Sequence, residues 1–202
     1  MPWGPVGLAA GSCYIGISFF RPLDQDDSLV QTSLVQAFDE HGDGLVLRGQ
    51  DFRWDPAKGN SRSPHLSGDH AKWLMNMALD RYNLEMEQAP QRVVIHKTSR
   101  FLDDERLGFE RVLRNRVAKY DLVTLSPDST VRLFPVNQYP PLRGTRFKVG
   151  DWDYLYTNGF SADLQQFHGN HVSSPLRLTE HFGRDTQRSV LLKEILSLTK
   201  HI

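Results

Sequence analysis

Two helical segments, each followed at once by a short apolar segment, constrain the fold of this chain more than any other feature. The first pair is HAKWLMNMALDRYNLEM followed by RVVIHK, and the second is DDERLGFERVLRNRVAKY followed by DLVTLS. The long segments repeat apolar residues at the spacing of an amphipathic helix, whereas the short ones are typical of buried strands. Because a helix that joins two strands in this order makes a parallel crossover, the sequence predicts a mixed sheet covered by helices.

The remaining segments add strands on both sides of these units. CYIGISFF predicts a buried opening strand, and LVQTSLVQAFDEHGDGLVLRG predicts a hairpin that turns at Gly42 to Gly44. TVRLFP, RFKVGDWDYLYTNGF and SSPLRLTEHFG predict further strands, and DTQRSVLLKEILSL predicts a last helix. The inward face predicted for that helix comprises Val190, Leu191, Ile195 and Leu198. Antiparallel strands that lead into strand–helix–strand units are the order of an RNase H-like fold, so we expect an α/β fold of that class.

Size and composition fit one ordinary globular domain. The chain has 202 residues, and its 24 Lys and Arg balance its 24 Asp and Glu, so nothing suggests binding to nucleic acid through bulk charge alone. A local basic groove stays open, because HKTSR, ERVLRNRVAK and PLRGTRFK concentrate cations. A single cysteine, Cys13, excludes an internal disulfide. No segment reaches the roughly 18 apolar residues of a membrane span, so a cytoplasmic location without membrane contact is the default expectation.

Several segments, in their order, resemble the PIWI domain of Argonaute proteins, most closely the short prokaryotic type. These segments are CYIGISFF, GLVLRG, PQRVVIHKTSRF before an acidic helix start, and DYLYTNGF with SSPLRLTEH before the last helix. The resemblance covers nearly the whole chain and implies a single PIWI-like, RNase H-like domain or fragment over residues 1–202. It also implies that no MID or PAZ domain is included and that the C-terminal part of a PIWI domain is missing.

Argonautes that cut their target hold two divalent ions with acidic side chains of the PIWI domain. The resemblance places one acid two residues after a glycine in the first strand, where this chain has Ser18 after Gly16. It places a second acid after the basic residue that ends RVVIHK, where this chain has Thr98 after Lys97. A neutral hydroxyl cannot replace a carboxylate as a Mg²⁺ ligand, and Lys97 would repel a metal further. We therefore expect no slicing, no metal and no cofactor.

Other acids leave an enzymatic alternative open. Asp51 follows LRGQ, near the place where slicing relatives insert a glutamate, and further acids lie near turns and helix starts. This second group comprises Asp39, Glu40, Asp43, Asp103, Asp104 and Glu105. Turn and helix-cap chemistry accounts for nearly all of them. An RNase H-like, Mg²⁺-dependent endonuclease with relocated carboxylates remains the alternative to a protein without catalysis.

Without metal ligands, the remaining expected role is to hold a guide–target duplex by its phosphates. The candidate contacts are polar or basic residues at strand ends: Arg48, His96, Lys97, Thr98, Ser99, Arg100, Arg143, Arg146, Lys148 and Arg177. We interpret His96 as a neutral, hydrogen-bonding histidine rather than as an acid or base. For each cation, a solvated or salt-bridged side chain is the competing interpretation.

The resemblance also implies partners. They are guide and target nucleic acid, the MID domain of the parent protein, and an effector subunit or domain of TIR, sirtuin-like or nuclease type. Inactive short Argonautes act with such effectors in defence against phage and plasmids. A purely structural domain that keeps the fold only to dock a partner is a third interpretation, besides the binding module and the nuclease.

Overall fold

The computed structural model describes residues 7–21, 30–55, 63–136, 140–161, 166–167, 173–183 and 185–199. Its strands are β1 (Ser12–Phe20), β2 (Val30–Phe38), β3 (Gly44–Arg53), β4 (Arg92–Lys97), β5 (Lys119–Pro127), β6 (Arg146–Val149), β7 (Trp152–Leu155), β8 (Phe160–Ser161), β9 (Gln166–Phe167) and β10 (Leu176–Phe182). Its helices are α1 (Gly68–Met86), α2 (Asp103–Arg116) and α3 (Arg188–Leu198).

Eight of these strands form one mixed sheet, in the order β3-β2-β1-β4-β5-β10-β7-β6. Strands β1, β2 and β3 pair antiparallel, whereas β1, β4 and β5 are parallel to one another. The two helix-then-strand units therefore produce the parallel strands that the sequence predicted. The predicted α/β fold with an RNase H-like mixed sheet and flanking helices is confirmed.

The helices cover the two faces of the sheet unequally. On one face, Cys13, Ile15 and Ile17 of β1 pack with residues of α1 and α2, such as Leu74 and Phe109. On the other face, a smaller cluster joins strand residues to Leu191, Leu192 and Ile195 of α3. Because side chains alternate along a strand, the even-numbered residues of β1 and β4 belong to the α3 face. This alternation decides where the candidate site residues point.

Glycine lets α1 and α2 approach each other closely. A Cβ at Gly108 of α2 would come within 2.3 Å of the Gly68 carbonyl oxygen and 2.9 Å of the Ala71 side chain. The carboxylate of Asp104 also accepts a 2.6 Å hydrogen bond from the Gly68 amide, which ties the start of α2 to the start of α1. The two helices therefore form one layer behind β1 and β4.

Two details of the sequence prediction are wrong. TVRLFP is not a strand: Asp128 accepts hydrogen bonds from the Thr130 amide (2.9 Å) and hydroxyl (2.6 Å), and the Leu133 amide donates to the Tyr156 hydroxyl. These side-chain bonds replace a strand ladder. Val190 does not face inward, because 41% of it is exposed, whereas Leu191 and Ile195 are buried as predicted.

A buried ionic network closes the amino-terminal end of the parallel strands. Arg92, at the start of β4, lies 2.9 Å from Asp121 of β5 and 2.7 Å from Glu194 of α3. Burial alone would lower the pKa of Arg92, but Glu194 and Asp121 raise it instead. Burial would likewise raise the pKa of Asp121, yet hydrogen bonds from His181, Thr186 and Arg92 lower it. Its ion pairs connect β4 with the neighbouring strand β5 and with the helix α3.

Candidate nucleic-acid interface

The register of β1 and β4 brings Ser18 and Thr98 to the same edge of the sheet. Gly16 pairs with His96 and Ile17 with Lys97, so Ser18 is the next residue of β1 and Thr98 is the first residue after β4. Both side chains are exposed. The two positions that the resemblance assigns to catalytic acids are therefore adjacent, and both carry neutral hydroxyls.

Arg48 extends this pair into a row. Ser18 pairs with Leu34 of β2, and Leu34 pairs with Arg48 of β3, so the three residues lie level on the α3 face. Two strand spacings separate Ser18 from Arg48, or about 10 Å. The guanidinium of Arg48 lies 3.1 Å from Asp51 and over the ring of Phe20 at 6.0 Å. The row thus combines two hydroxyls with one partly neutralised cation.

His96 lies on the α3 face of β4, two residues before Thr98. Burial, together with the charge of Arg92, lowers its pKa to about 4, so the imidazole is neutral at physiological pH. Its Nε2 atom is buried and has no hydrogen-bond partner within the described ranges. The imidazole therefore adds a neutral polar group, and no positive charge, beside the two hydroxyls.

Lys97 does not belong to the interface, and its predicted contact with phosphate is wrong. Its side chain is 0% exposed, and its Nζ atom lies 2.6 Å from Oε2 of the equally buried Glu105. The rings of Phe19 and Phe101 flank the ammonium at 5.4 and 4.9 Å. The alternation that points His96 to the α3 face points Lys97 into the layer beneath α2. Since Glu105 balances its charge, Lys97 also does not present a free cation that would repel a metal.

The loop after Lys97 does present polar groups outward. The Arg100 side chain is 80% exposed, and its Nε atom donates a 3.2 Å hydrogen bond to Glu180 of β10. Glu180 also accepts from the Phe101 amide at 3.0 Å and from the Thr124 hydroxyl at 2.9 Å. Thr98 is exposed and Ser99 is half-buried. Arg100 is therefore the exposed cation of the segment that follows β4, two residues after Thr98.

The second predicted basic cluster is separate from this edge. Four strand spacings, or about 19 Å, lie between β4 and β6 in the sheet order. Arg143 does not face a ligand: its guanidinium donates to the carbonyl oxygens of Leu196 (2.9 Å) and Thr199 at the end of α3, so its predicted role is wrong. Arg146 donates to the Ser189 carbonyl at 2.9 Å but stays exposed, as does Lys148.

Arg177 is largely occupied by other protein groups. It lies 3.2 Å from Asp128, and its guanidinium stacks over the ring of Trp152 at 5.1 Å. One third of its side chain is exposed. Arg177 therefore stays a weak candidate contact, with a carboxylate that any phosphate would have to displace.

Two of the acids that kept a nuclease open, Asp39 and Asp51, have partners within the protein. The Asp39 carboxylate accepts the amides of His41 (2.9 Å) and Asp43 (2.8 Å) in the turn between β2 and β3. Tyr14 pairs with Phe38, so this turn lies at the opposite end of β1 from Ser18. Ligand atoms of Asp39, Glu40 and His41 lie within 4.8 Å of one another, but turn chemistry explains their proximity. Asp51 pairs with Arg48, beside the row rather than between Ser18 and Thr98.

Sequence reasoning missed Glu105 and Glu180 as parts of this edge. Glu105 was assigned only to the acidic first turn of α2, where it does lie, but its burial and its partner Lys97 followed from no sequence pattern. Glu180 lies on β10, 80 residues from Arg100. Its position inside the strand LRLTEHF was the one available signal, because a buried acid needs a partner.

Comparison with solved structures places the fold among Argonautes. The chain is similar to Marinitoga piezophila Argonaute in complex with 5′ OH guide RNA (TM-score 0.61, 16% identity, 95% of this chain and 27% of that one). It is also similar to Clostridium butyricum Argonaute bound to a guide DNA and a 19-mer target DNA (TM-score 0.66, 16% identity, 92% and 23%). A third similar structure is Aquifex aeolicus Argonaute (TM-score 0.58, 18% identity, 93% and 24%).

These similarities establish the fold. No protein-family profile and no curated protein sequence matches the chain. The chain spans about a quarter of the length of the Argonautes that it resembles. Separately, none of the described helices is long and apolar enough to cross a membrane.

Proposed function

We propose that this chain is a non-catalytic PIWI module that holds a guide–target nucleic-acid duplex by its backbone. The observation that carries the proposal is the parallel register of β1 and β4, which brings the exposed residues Ser18 and Thr98 to the same end of the sheet. Hydroxyls there donate hydrogen bonds to phosphate oxygens without needing a bridging metal ion. Arg48 and Arg100 are the exposed cations for phosphate in this proposal, and phosphate would compete there with Asp51 and Glu180.

The similar solved structures support nucleic acid as the partner. Two of the Argonautes above were solved with a guide, and one of these also with its target. In this proposal, base pairing between guide and target reads the sequence, while the module reads backbone shape. The wider role that we propose is that of a short prokaryotic Argonaute in the cytoplasm. There it signals through a MID domain and an associated effector in defence against invading nucleic acid.

The decisive experiment is a fluorescence-polarisation titration of the chain with a labelled guide–target duplex, in EDTA, between 50 and 200 mM salt. We expect binding whose logarithm falls linearly with the logarithm of salt concentration, because phosphate contacts release counterions. Arg81→Ala is the control for the loss of an exposed arginine outside the proposed interface. Arg81 lies on α1, and among the contacts described it pairs only with Glu85 at the surface. Absence of binding, or binding insensitive to salt, would contradict the proposal.

A cleavage assay separates this module from the nuclease alternative. The same duplex is incubated with Mg²⁺ or Mn²⁺, with the wild-type chain and with Asp51→Ala and Asp43→Ala. We expect intact target in all reactions. Metal-dependent cleavage that disappears in either variant would establish relocated carboxylates instead.

A further inference from the structure

Lys97 holds the loop that follows it from the inside. Its Nζ atom bonds both oxygens of Glu105, at 2.7 and 2.6 Å, and also donates to the Arg100 carbonyl oxygen at 3.3 Å. The last contact joins the end of β4 to a residue three positions further along the chain. One buried ammonium therefore fixes the backbone of the loop Thr98–Phe101, whose outward side chains form the proposed interface.

Glu105 gives this ammonium a rigid base. Its carboxylate accepts the Leu66 amide at 3.2 Å and lies 3.4 Å from Nδ1 of His65, so it is tied to the segment that enters α1. Glu105 itself lies in the first turn of α2. Burial lowers the pKa of Lys97 against the attraction of Glu105. Such a buried pair adds little net stability but holds its partners in one geometry.

The loop is also held from the outside. Glu180 accepts the Phe101 amide and the Arg100 side chain, and the Thr124 hydroxyl fixes the carboxylate of Glu180 in turn. The loop thus has an internal anchor at the Arg100 carbonyl and an external anchor at the Phe101 amide. Thr98 and Ser99 lie between β4 and these anchors, so their positions follow from both.

We infer that Lys97 is a positioning residue for nucleic-acid binding, which acts through the backbone of Thr98–Phe101 and contacts no phosphate itself. This inference rests on the proposed function for the binding step. The loop is presented in one preformed shape, so the cost of ordering its polar side chains on binding is already met. In this proposal, Lys97 fixes the geometry of the loop, and Arg100 supplies a positive charge.

The test replaces the ion pair with uncharged residues of similar size, in the double variant Lys97→Met/Glu105→Gln. Replacing both partners avoids leaving one buried charge uncompensated, and the Gln carbonyl can still accept the Leu66 amide. The control is Arg92→Met/Asp121→Asn/Glu194→Gln, which removes the buried cation and both of its acidic partners at the other end of β4. Amide hydrogen exchange of residues 98–102 is measured without nucleic acid, and duplex affinity is measured against salt.

We expect faster exchange in the loop of the first variant only. Its duplex affinity should fall roughly tenfold, the cost of ordering two or three side chains on binding. Its salt slope should equal that of wild type, because no phosphate contact is lost. The control should keep both the loop exchange and the affinity of wild type at a temperature where it is folded.

Three results would overturn the inference. Unchanged loop exchange would show that Lys97 does not hold the loop. Faster loop exchange with unchanged affinity would show that loop shape does not govern binding. A salt slope reduced by about 0.9 would show that Lys97 contacts a phosphate. If the wild-type chain binds no duplex, the proposed function fails, and the exchange measurement still decides whether Lys97 holds the loop.

Discussion

The two ends of strand β4 each carry a buried cation, but the surroundings of the two cations differ. We call the amino-terminal end, at Arg92, the supporting end. We call the carboxyl-terminal end, at Lys97 and the exposed loop after it, the presenting end. At the amino-terminal end, Arg92 pairs with Asp121 and Glu194, and Tyr14 donates to Glu194 at 3.0 Å. At the carboxyl-terminal end, Lys97 pairs with Glu105 and also holds a loop. Charge at the first end locks elements together. At the second end it shapes an exposed segment.

The surroundings of the two ends differ in the same way. His181 and Thr186 add hydrogen bonds of 2.8 and 2.7 Å to Asp121, so the first end joins β5, β10 and the approach to α3. Burial raises the pKa of Tyr14 there to about 12, which keeps its hydroxyl a donor. At the second end, Thr98 and Arg100 remain exposed. The amino-terminal end holds these elements together. The carboxyl-terminal end can therefore carry exposed polar groups that do not contribute to the core.

The largest expected effect breaks the supporting end. Arg92→Met leaves Asp121 and Glu194 buried without their cation, so the free energy of unfolding should fall by about 4 kcal/mol at pH 7. Urea denaturation measures it. Arg81→Met, which removes a surface pair, should cost less than about 1 kcal/mol. Equal losses in the two variants would refute the supporting role of the Arg92 network.

The second largest effect comes from adding negative charge at the presenting end, at positions 18 and 98. Ser18→Asp/Thr98→Asp puts two carboxylates where we expect phosphate, so duplex affinity in EDTA should fall roughly a hundredfold. Mn²⁺ should recover part of the loss, because paired carboxylates bind divalent ions. The uncharged control Ser18→Asn/Thr98→Asn should stay within a few-fold of wild type. Unaltered affinity in the Asp variant would show that the duplex does not bind at this end of the sheet.

His96, between the two ends, should make stability depend on pH. Its pKa of about 4 in the folded chain lies below the usual value near 6.5, so its contribution is complete above pH 6.5 and is lost as pH falls towards 4. Between pH 7 and 5, this amounts to about 2 kcal/mol of unfolding free energy. His96→Gln should remove that part of the pH dependence. An identical pH profile in the variant would contradict the assignment.

The smallest effect concerns one exposed cation. Arg100→Ala should reduce the slope of log affinity against log salt by about 0.9, the value for one phosphate contact. The affinity should fall only a few-fold at physiological salt. The chain with Lys148→Ala is the comparison, because Lys148 is exposed on β6, four strands from β4. A larger slope change for Lys148 than for Arg100 would place the duplex at the β6 edge.

Particular residues show how far the sequence could predict this site. The resemblance of CYIGISFF and RVVIHK to PIWI segments assigned Ser18 and Thr98 to one site, and the parallel pairing of β1 with β4 brings both to the same end of the sheet. The strand prediction for TVRLFP is wrong because Asp128 forms a turn through hydrogen bonds with Thr130, and apolar periodicity does not reveal such a turn. The predicted phosphate contact of Arg143 is wrong because its guanidinium binds carbonyl groups at the end of a helix more than 50 residues later in the chain.

By itself, the sequence determined the order and kind of the elements and the absence of carboxylates at positions 18 and 98. These are local properties, fixed by residue type and by the spacing of apolar side chains along a strand or helix. Only the tertiary structure decided which cations are accessible. Lys97 and Arg100 are three residues apart, but the first lies against Glu105 in the core and the second is exposed to solvent. Strand alternation and distant carboxylates determine that difference, because a buried charge persists only where the fold supplies its partner.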